Sequence, residues 1–203
     1  MKILNKIKTI LRNLNSVSGI IAVCIALLGY LIAYLLYPAQ EYHIGYFGSE
    51  LGVGPVGVYF SLGLIFSGYF FLKFISYLKK VINIGKVNIK RENWIFISAK
   101  ISVIAYSLLG VFPGISNSPI IFMIHGILVF LCYSFGFFFI FFLSAFFSQS
   151  PKFLKFHAYV GYFIAFGILT FLFSWISVIQ WIFTLTYFVW IVYIAGYMLH
   201  KKR

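Results

Sequence analysis

The sequence predicts an all-α polytopic membrane protein, a bundle of six transmembrane helices with both termini in the cytoplasm. Three observations carry that prediction. Hydrophobic residues make up 63% of the 203-residue chain and charged residues 9%, against roughly 45–50% and about 25% in soluble domains. Six apolar runs approach or exceed the length of about 20 residues that a helix needs to cross a hydrocarbon core of about 30 Å. The charge is one-sided: sixteen Lys and Arg stand against three acids, Glu41, Glu50 and Glu92. With a mean hydropathy of +1.01, the chain has too little polar surface to cover a water-soluble globule, which excludes a soluble enzyme and a disordered tail. A net charge of +13 in a soluble protein points to nucleic acid. In a membrane chain it marks basic loops held on one side of the bilayer, so no nucleic-acid partner is expected.

The elements follow in order, as one transmembrane domain over 1–203. Residues 1–16 form a basic leader in which Ile3, Leu4, Ile7, Leu11 and Leu14 recur at helical spacing between Lys2, Lys6, Lys8 and Arg12. That is the pattern of a short amphipathic helix lying on the inner leaflet. Spans are then expected at about 17–37, 55–78, 94–112, 119–147, 158–174 and 178–199. These runs lack the period-2 alternation of barrel strands. Pro38, Pro55, Pro113, Pro119 and Pro151 all fall at or near span boundaries, where proline's missing N–H costs least. The first span is longer than a signal-peptide core of about 7–15 residues and reads as an uncleaved anchor. Only Ser174-Trp175-Ile176-Ser177 separates the last two spans. A single helix over both would run about 63 Å, twice the membrane thickness, so two helices are expected.

Orientation follows from the lysines and arginines. With the N-terminus inside, the leader, the loop holding Lys79, Lys80, Lys86, Lys90 and Arg91, the loop holding Lys152 and Lys155, and the tail Lys201, Lys202 and Arg203 all fall on the cytoplasmic side. Lys73 and Lys100 lie in helices near the same side, within snorkelling reach of the headgroups. The opposite loops hold no basic residue. The protein is therefore expected in the cell membrane, with anionic lipid as an inner-leaflet partner and Lys79, Lys80, Lys86, Lys90 and Arg91 as anchors.

Candidate chemistry gathers at the outer end. Glu41, His43 and Glu50 stand there, with the run Ser49-Glu50-Leu51-Gly52-Val53-Gly54-Pro55 entering span two. His125 lies about 9 Å inside span four at about 1.5 Å per residue, a depth at which an imidazole needs a partner or a wet cavity. It shares a helix face with Cys132 and Gly136, which places that face toward the bundle. The residues Ser49, Glu50, Gly52, Gly54, Pro113 and His125 are the candidate outer pocket. Gly57, Ser61 and Gly68, close to one helical face with Gly54, read as a packing stripe that lets helices approach closely. Cys24 and Cys132 lie in apolar runs and read as small buried residues.

No GK[ST] follows Gly52-Val53-Gly54, and no HExxH, CxxC or GxSxG occurs, so phosphate-loop, zinc-protease and hydrolase-elbow chemistry is not signalled. With no Asp and three Glu, two-metal chemistry has no ligand set. Haem needs paired axial ligands. His43 with His125, or His157 with His200, could pair by level, but most of these lie in loops or at helix ends, and no metal or cofactor is expected.

The run Ser49–Pro55, continued by Phe60-Ser61-Leu62-Gly63 and Gly68, together with Leu109-Gly110-Val111-Phe112-Pro113 and His125, resembles a prokaryotic six-helix membrane family, domain of unknown function 998. The resemblance covers nearly the whole chain and departs at Ser61, where an asparagine is expected. It implies the same six-helix fold, no assigned activity, and a grouping of Ser49, Glu50, His125 and the Pro113 turn at one outer site. The first functional reading is a non-catalytic accessory subunit or lipid-associated scaffold. The alternative is a lipid-handling enzyme or small-molecule binder with an outward pocket, where Glu50 acts as acid/base and His125 as its partner. A small transporter or channel is the third.

Overall fold

The computed structural model describes residues 2–37, 45–53, 56–82, 89–112, 114, 118–150 and 153–200, with side chains except at 2–14, 16 and 89–91. These residues form α1 Lys2–Leu36, a 3₁₀ turn Gly48–Gly52, α2 Gly57–Ile82, α3 Ile89–Leu109, α4 Pro119–Gln149, α5 Lys155–Ser174 and α6 Ser177–His200. No strand occurs among the described residues. The chain is all-α, and among the described residues five helices are long and apolar enough to cross a membrane. The outward faces agree: Leu35, Phe130, Phe173 and Val189 are all more than half exposed, a surface suited to lipid.

Two helices differ from a simple reading of apolar runs. The leader is helical but does not form a separate element. It continues into the first span, so α1 is one rod of 35 residues, about 52 Å long. The apolar part is its last 20 residues, Val17–Leu36. The other is α3, which is not among the five apolar helices. It has 21 residues, about 31 Å at 1.5 Å per residue, but Glu92, Asn93 and Lys100 dilute it. It is nonetheless packed along its length between α2 and α4. Ser107 lies against Gly68, and Gly110 just beyond α3 against Ser61. Lys79 donates to Asn93 Oδ1 at 3.1 Å, and Ser102 Oγ donates to the Cys132 carbonyl at 2.7 Å. Neighbouring helices thus supply partners for Asn93 and Ser102.

The break between α5 and α6 is two residues, Trp175 and Ile176, and it turns on one of them in the left-handed region. Trp175 has φ 51° and ψ 34° and closes α5 through its N–H to the Phe171 carbonyl, at 2.8 Å. A non-glycine in this region costs roughly 1–2 kcal/mol, which packing offsets: the Trp175 ring lies 5.7 Å from that of Phe171.

Each helix packs on its sequence neighbours, and α6 returns to α1. The six helices therefore close into a ring. In a regular six-membered ring the radius equals the helix spacing, about 8–10 Å. With a backbone radius of about 2.3 Å, side chains must fill about 6–8 Å from backbone to axis. Ala and Val cannot reach that far, whereas Phe and Tyr can. This accounts for the inward cluster around Phe71, whose ring lies 5.9 Å from Tyr106, 6.2 Å from Tyr187 and 6.3 Å from Phe188.

Close approach is arranged by small residues, though not in one stripe. A Cβ on Gly57 would strike the Gly52 carbonyl, and one on Gly68 would strike Ser107. Ser61 faces the end of α3, where a Cβ on Gly110 would stand 2.7 Å from its carbonyl. The α1–α2 seam instead uses Gly29 and Gly63, where a Cβ on Gly29 would lie 2.8 Å from the Gly63 Cα. Cys24 is exposed on the outside of the ring and Cys132 is part-buried inside it. The expectation that both are buried is thus corrected for Cys24, which faces outward among apolar neighbours.

Candidate functional site

The end of the ring opposite the lysine-rich loops is closed by the 3₁₀ turn Gly48–Gly52. Leu51 is its apolar plug, fully buried in a cluster with Phe60, Leu64, Leu109 and Leu128. The turn is tied down by the start of α6. Ser177 Oγ donates to the Gly45 carbonyl at 2.6 Å. Gln180 Oε1 accepts from the Gly48 N–H at 3.0 Å, and Trp181 Nε1 donates to the Tyr46 carbonyl at 3.1 Å. The other end of the Gln180 amide donates to Tyr133 Oη at 3.0 Å, joining the turn to α4. Backbone groups left unmade here would each cost about 1–3 kcal/mol. Sequence reading missed these three residues. Their signal was the i, i+3, i+4 spacing of polar-capable side chains in an otherwise apolar helix, which puts them on one face.

Glu50 turns to its own backbone. Its Oε1 accepts from the Phe47 N–H at 3.3 Å, while its own N–H donates to the Phe47 carbonyl at 3.0 Å. His125 is buried, 7% exposed, and its Nδ1 is 2.8 Å from the Phe112 carbonyl. A carbonyl can only accept, so Nδ1 carries a proton, and in the neutral form of the ring Nε2 is then an acceptor. Nε2 is directed at Gly114. A Cβ there would meet His125 Nε2 at 3.1 Å and Ser49 Oγ at 3.2 Å. The structure thus brings Ser49 and His125 together across one glycine, while Glu50 serves the turn. Gly52 packs beside Phe60, to which a Cβ would come within 3.1 Å. Glu41, His43, Gly54 and Pro113 lie outside the described residues.

Below the turn runs an axial cavity of about 100 Å³. Ser49 and Gln180 lie at its capped end, and Ala99 and Ile140 at its deep end. From Leu109 to Ala99 it follows α3 for about 15 Å. Its walls are mainly aromatic and aliphatic, with Cys132 and Gly136 on the α4 face below His125. Polar groups on the wall are matched locally: Tyr106 Oη with Ser67 Oγ at 3.1 Å, Tyr133 with Gln180, and Ser102 with the Cys132 carbonyl.

The opposite, basic end is built differently. Lys79 is engaged by Asn93 and stands 5.6 Å from the Phe96 ring centroid, whereas Lys80 is exposed. Lys86 lies outside the described residues, as do the side chains of Lys90 and Arg91. His157 is fully buried. Tyr193 and Tyr197 stand 4.8 Å from it, Phe147 6.0 Å and Phe153 6.2 Å, ring to ring. Its carbonyl accepts from Trp190 Nε1 at 3.0 Å, but neither ring nitrogen has a hydrogen-bond partner among the described residues.

Fold and site together define a helical bundle of membrane-spanning type with a capped axial cavity. Compared with models of known protein families, with curated proteins and with solved structures, the chain matches none.

Proposed function

We propose that this chain is a non-catalytic, lipid-associated membrane protein that holds a single-chain amphiphile in its axial cavity. The observation that carries this reading is the cavity itself: a narrow, largely apolar channel inside a closed ring, with polar groups at the capped end. At about 100 Å³ the cavity is smaller than one that takes a benzene-sized molecule, so a hydrocarbon tail enters only as the aromatic walls move apart, with a small polar head beside Ser49 and Gln180. The non-catalytic part is supported by the commitment of the strongest polar groups at that end to structural bonds: Glu50 to Phe47, Gln180 to Gly48, and His125 Nδ1 to Phe112. The one-sided lysines support a cell-membrane location with the capped end outward.

The test is extraction of the full-length protein in mild detergent, lipid washing, and mass spectrometry of what remains bound. A single-chain amphiphile retained near one per protein is expected, and Val129→Trp, which fills the cavity from α4, is expected to remove it. A wild-type protein with nothing bound, or equal retention by both forms, overturns the reading.

A second reading is favoured by one observation, the convergence of Ser49 Oγ and His125 Nε2 at Gly114. In that case the protein is a lipid-handling enzyme, with Ser49 as nucleophile and His125 as base, oriented by the Phe112 carbonyl. Turnover of an added acyl lipid that Ser49→Ala abolishes selects this reading. Retention without turnover selects the first.

A further inference from the structure

We infer a specific site for the phosphate of an anionic phospholipid in the groove between α1 and α2 at the basic end, held by Lys73 and Lys80. The groove has a volume of about 260 Å³ and is lined by Asn15 of α1 and by Tyr69, Leu72, Lys73, Ser76, Tyr77 and Lys80 of α2. Tyr69, Leu72, Lys73, Ser76 and Lys80 follow the i, i+3, i+4, i+7, i+11 pattern of one helix face. That face presents two cations two turns apart, about 10 Å along the axis, with an amide and a hydroxyl alongside.

Three features distinguish this groove from general attraction between a basic surface and lipid. The first is depth. Lys73 lies nine residues before the end of α2 at Ile82, about 13 Å along the helix, where an ammonium needs a counter-charge or a route to water. Its Nζ rests 4.6 Å from the Tyr69 ring centroid, a contact that orients the cation without neutralising it. The second is the absence of an internal counter-ion. Neither Glu50 nor Glu92, the two described acids, lines the groove, so the compensating anion must come from outside the described residues. The third is the contrast with Lys79, one residue from Lys80 but turned toward α3, where Asn93 and Phe96 engage it. A phospholipid fits on all counts. Its phosphate meets the two ammonium groups and the Asn15 amide, while its chains lie along Leu72 and the apolar flank of α2.

The experiment uses delipidated full-length protein in mild detergent, titrated with dioleoylphosphatidylglycerol, dioleoylphosphatidylcholine or inorganic phosphate and read by native mass spectrometry. Phosphatidylglycerol is expected to bind at least tenfold more tightly than phosphatidylcholine. Lys73→Gln or Lys80→Gln should each weaken it about fivefold, and the double variant about thirtyfold. Lys79→Gln should leave it unchanged, and Lys73→Arg should retain most of it, which separates loss of charge from loss of fold. Equal binding of the two lipids, wild-type affinity in the double variant, or an effect of Lys79→Gln equal to that of Lys80→Gln overturns the site. Competition by inorganic phosphate at the affinity of the lipid also overturns it, assigning the groove to the free anion. Val129→Trp lies elsewhere in the ring, so failure here leaves the cavity reading standing, and the converse holds too.

Discussion

The two ends of the ring treat their polar groups in opposite ways. At the capped end, the Glu50 carboxylate, the Gln180 amide, the Ser177 hydroxyl, the Trp181 indole and His125 Nδ1 each meet a backbone group of the loops or the turn. At the basic end, the His157 ring is enclosed by aromatic side chains with both nitrogens unmatched among the described residues, and Lys73 and Lys80 face a groove with no carboxylate among those residues. Where such groups are buried, as His125 and His157 are, an unmade hydrogen bond is costly. The difference teaches how to read such groups. A polar side chain matched within the chain is part of the architecture. One left unmatched is either a cost carried by the fold or a place for something outside it.

The largest test breaks both ends at once, because the α1–α2 seam connects them. Gly63→Leu places a side chain against the Gly29 backbone, which cannot move aside as a flexible side chain can. We expect a loss of about 3 kcal/mol or more, read as failure to recover a monodisperse protein after extraction. Recovery at wild-type yield and thermal stability would show that the seam is looser than the backbone contact implies.

The two histidines sharpen the comparison. His125→Phe removes the partner of a part-buried carbonyl at Phe112, and we expect a loss of about 1 kcal/mol, seen as a lower midpoint of thermal unfolding in detergent. His157→Phe replaces an unmatched imidazole in an aromatic box with a ring of similar shape. That change should be neutral or stabilise by about 1 kcal/mol, raising the midpoint by about 2–4 °C for a chain of this size. A midpoint lowered by His157→Phe would mean that the imidazole has a partner the described residues do not include, and the contrast between the ends would fail.

Much of this architecture was legible in one dimension. Apolar run length, proline position and the alternation of basic loops mark six helical segments, and the two-helix reading of 158–199 holds because one rod of that length does not fit a bilayer. The exception, α3, is instructive. Glu92, Asn93 and Lys100 leave it short of the hydropathy of its neighbours, yet it is seated between α2 and α4. A helix can borrow matching groups from its flanks, as Asn93 does from Lys79, and that exchange is invisible to a sliding window. The candidate site was legible only in part. A glycine-rich run before span two and a histidine inside span four drew attention to Ser49 and His125. Nothing in a linear pattern linked that run to Gln180 and Trp181, which lie more than 130 residues away.

By itself, then, the sequence determined the all-helical class and the six long helices found among the described residues, because the hydrophobic cost of crossing lipid is summed along the chain. Only the tertiary structure decided that α6 closes on α1, that Gly29 meets Gly63, that the turn at Gly48–Gly52 is tied to α6, and which of two histidines finds a partner. Those outcomes depend on directed contacts of a few ångströms between distant segments, and neither hydropathy nor charge counts carry direction.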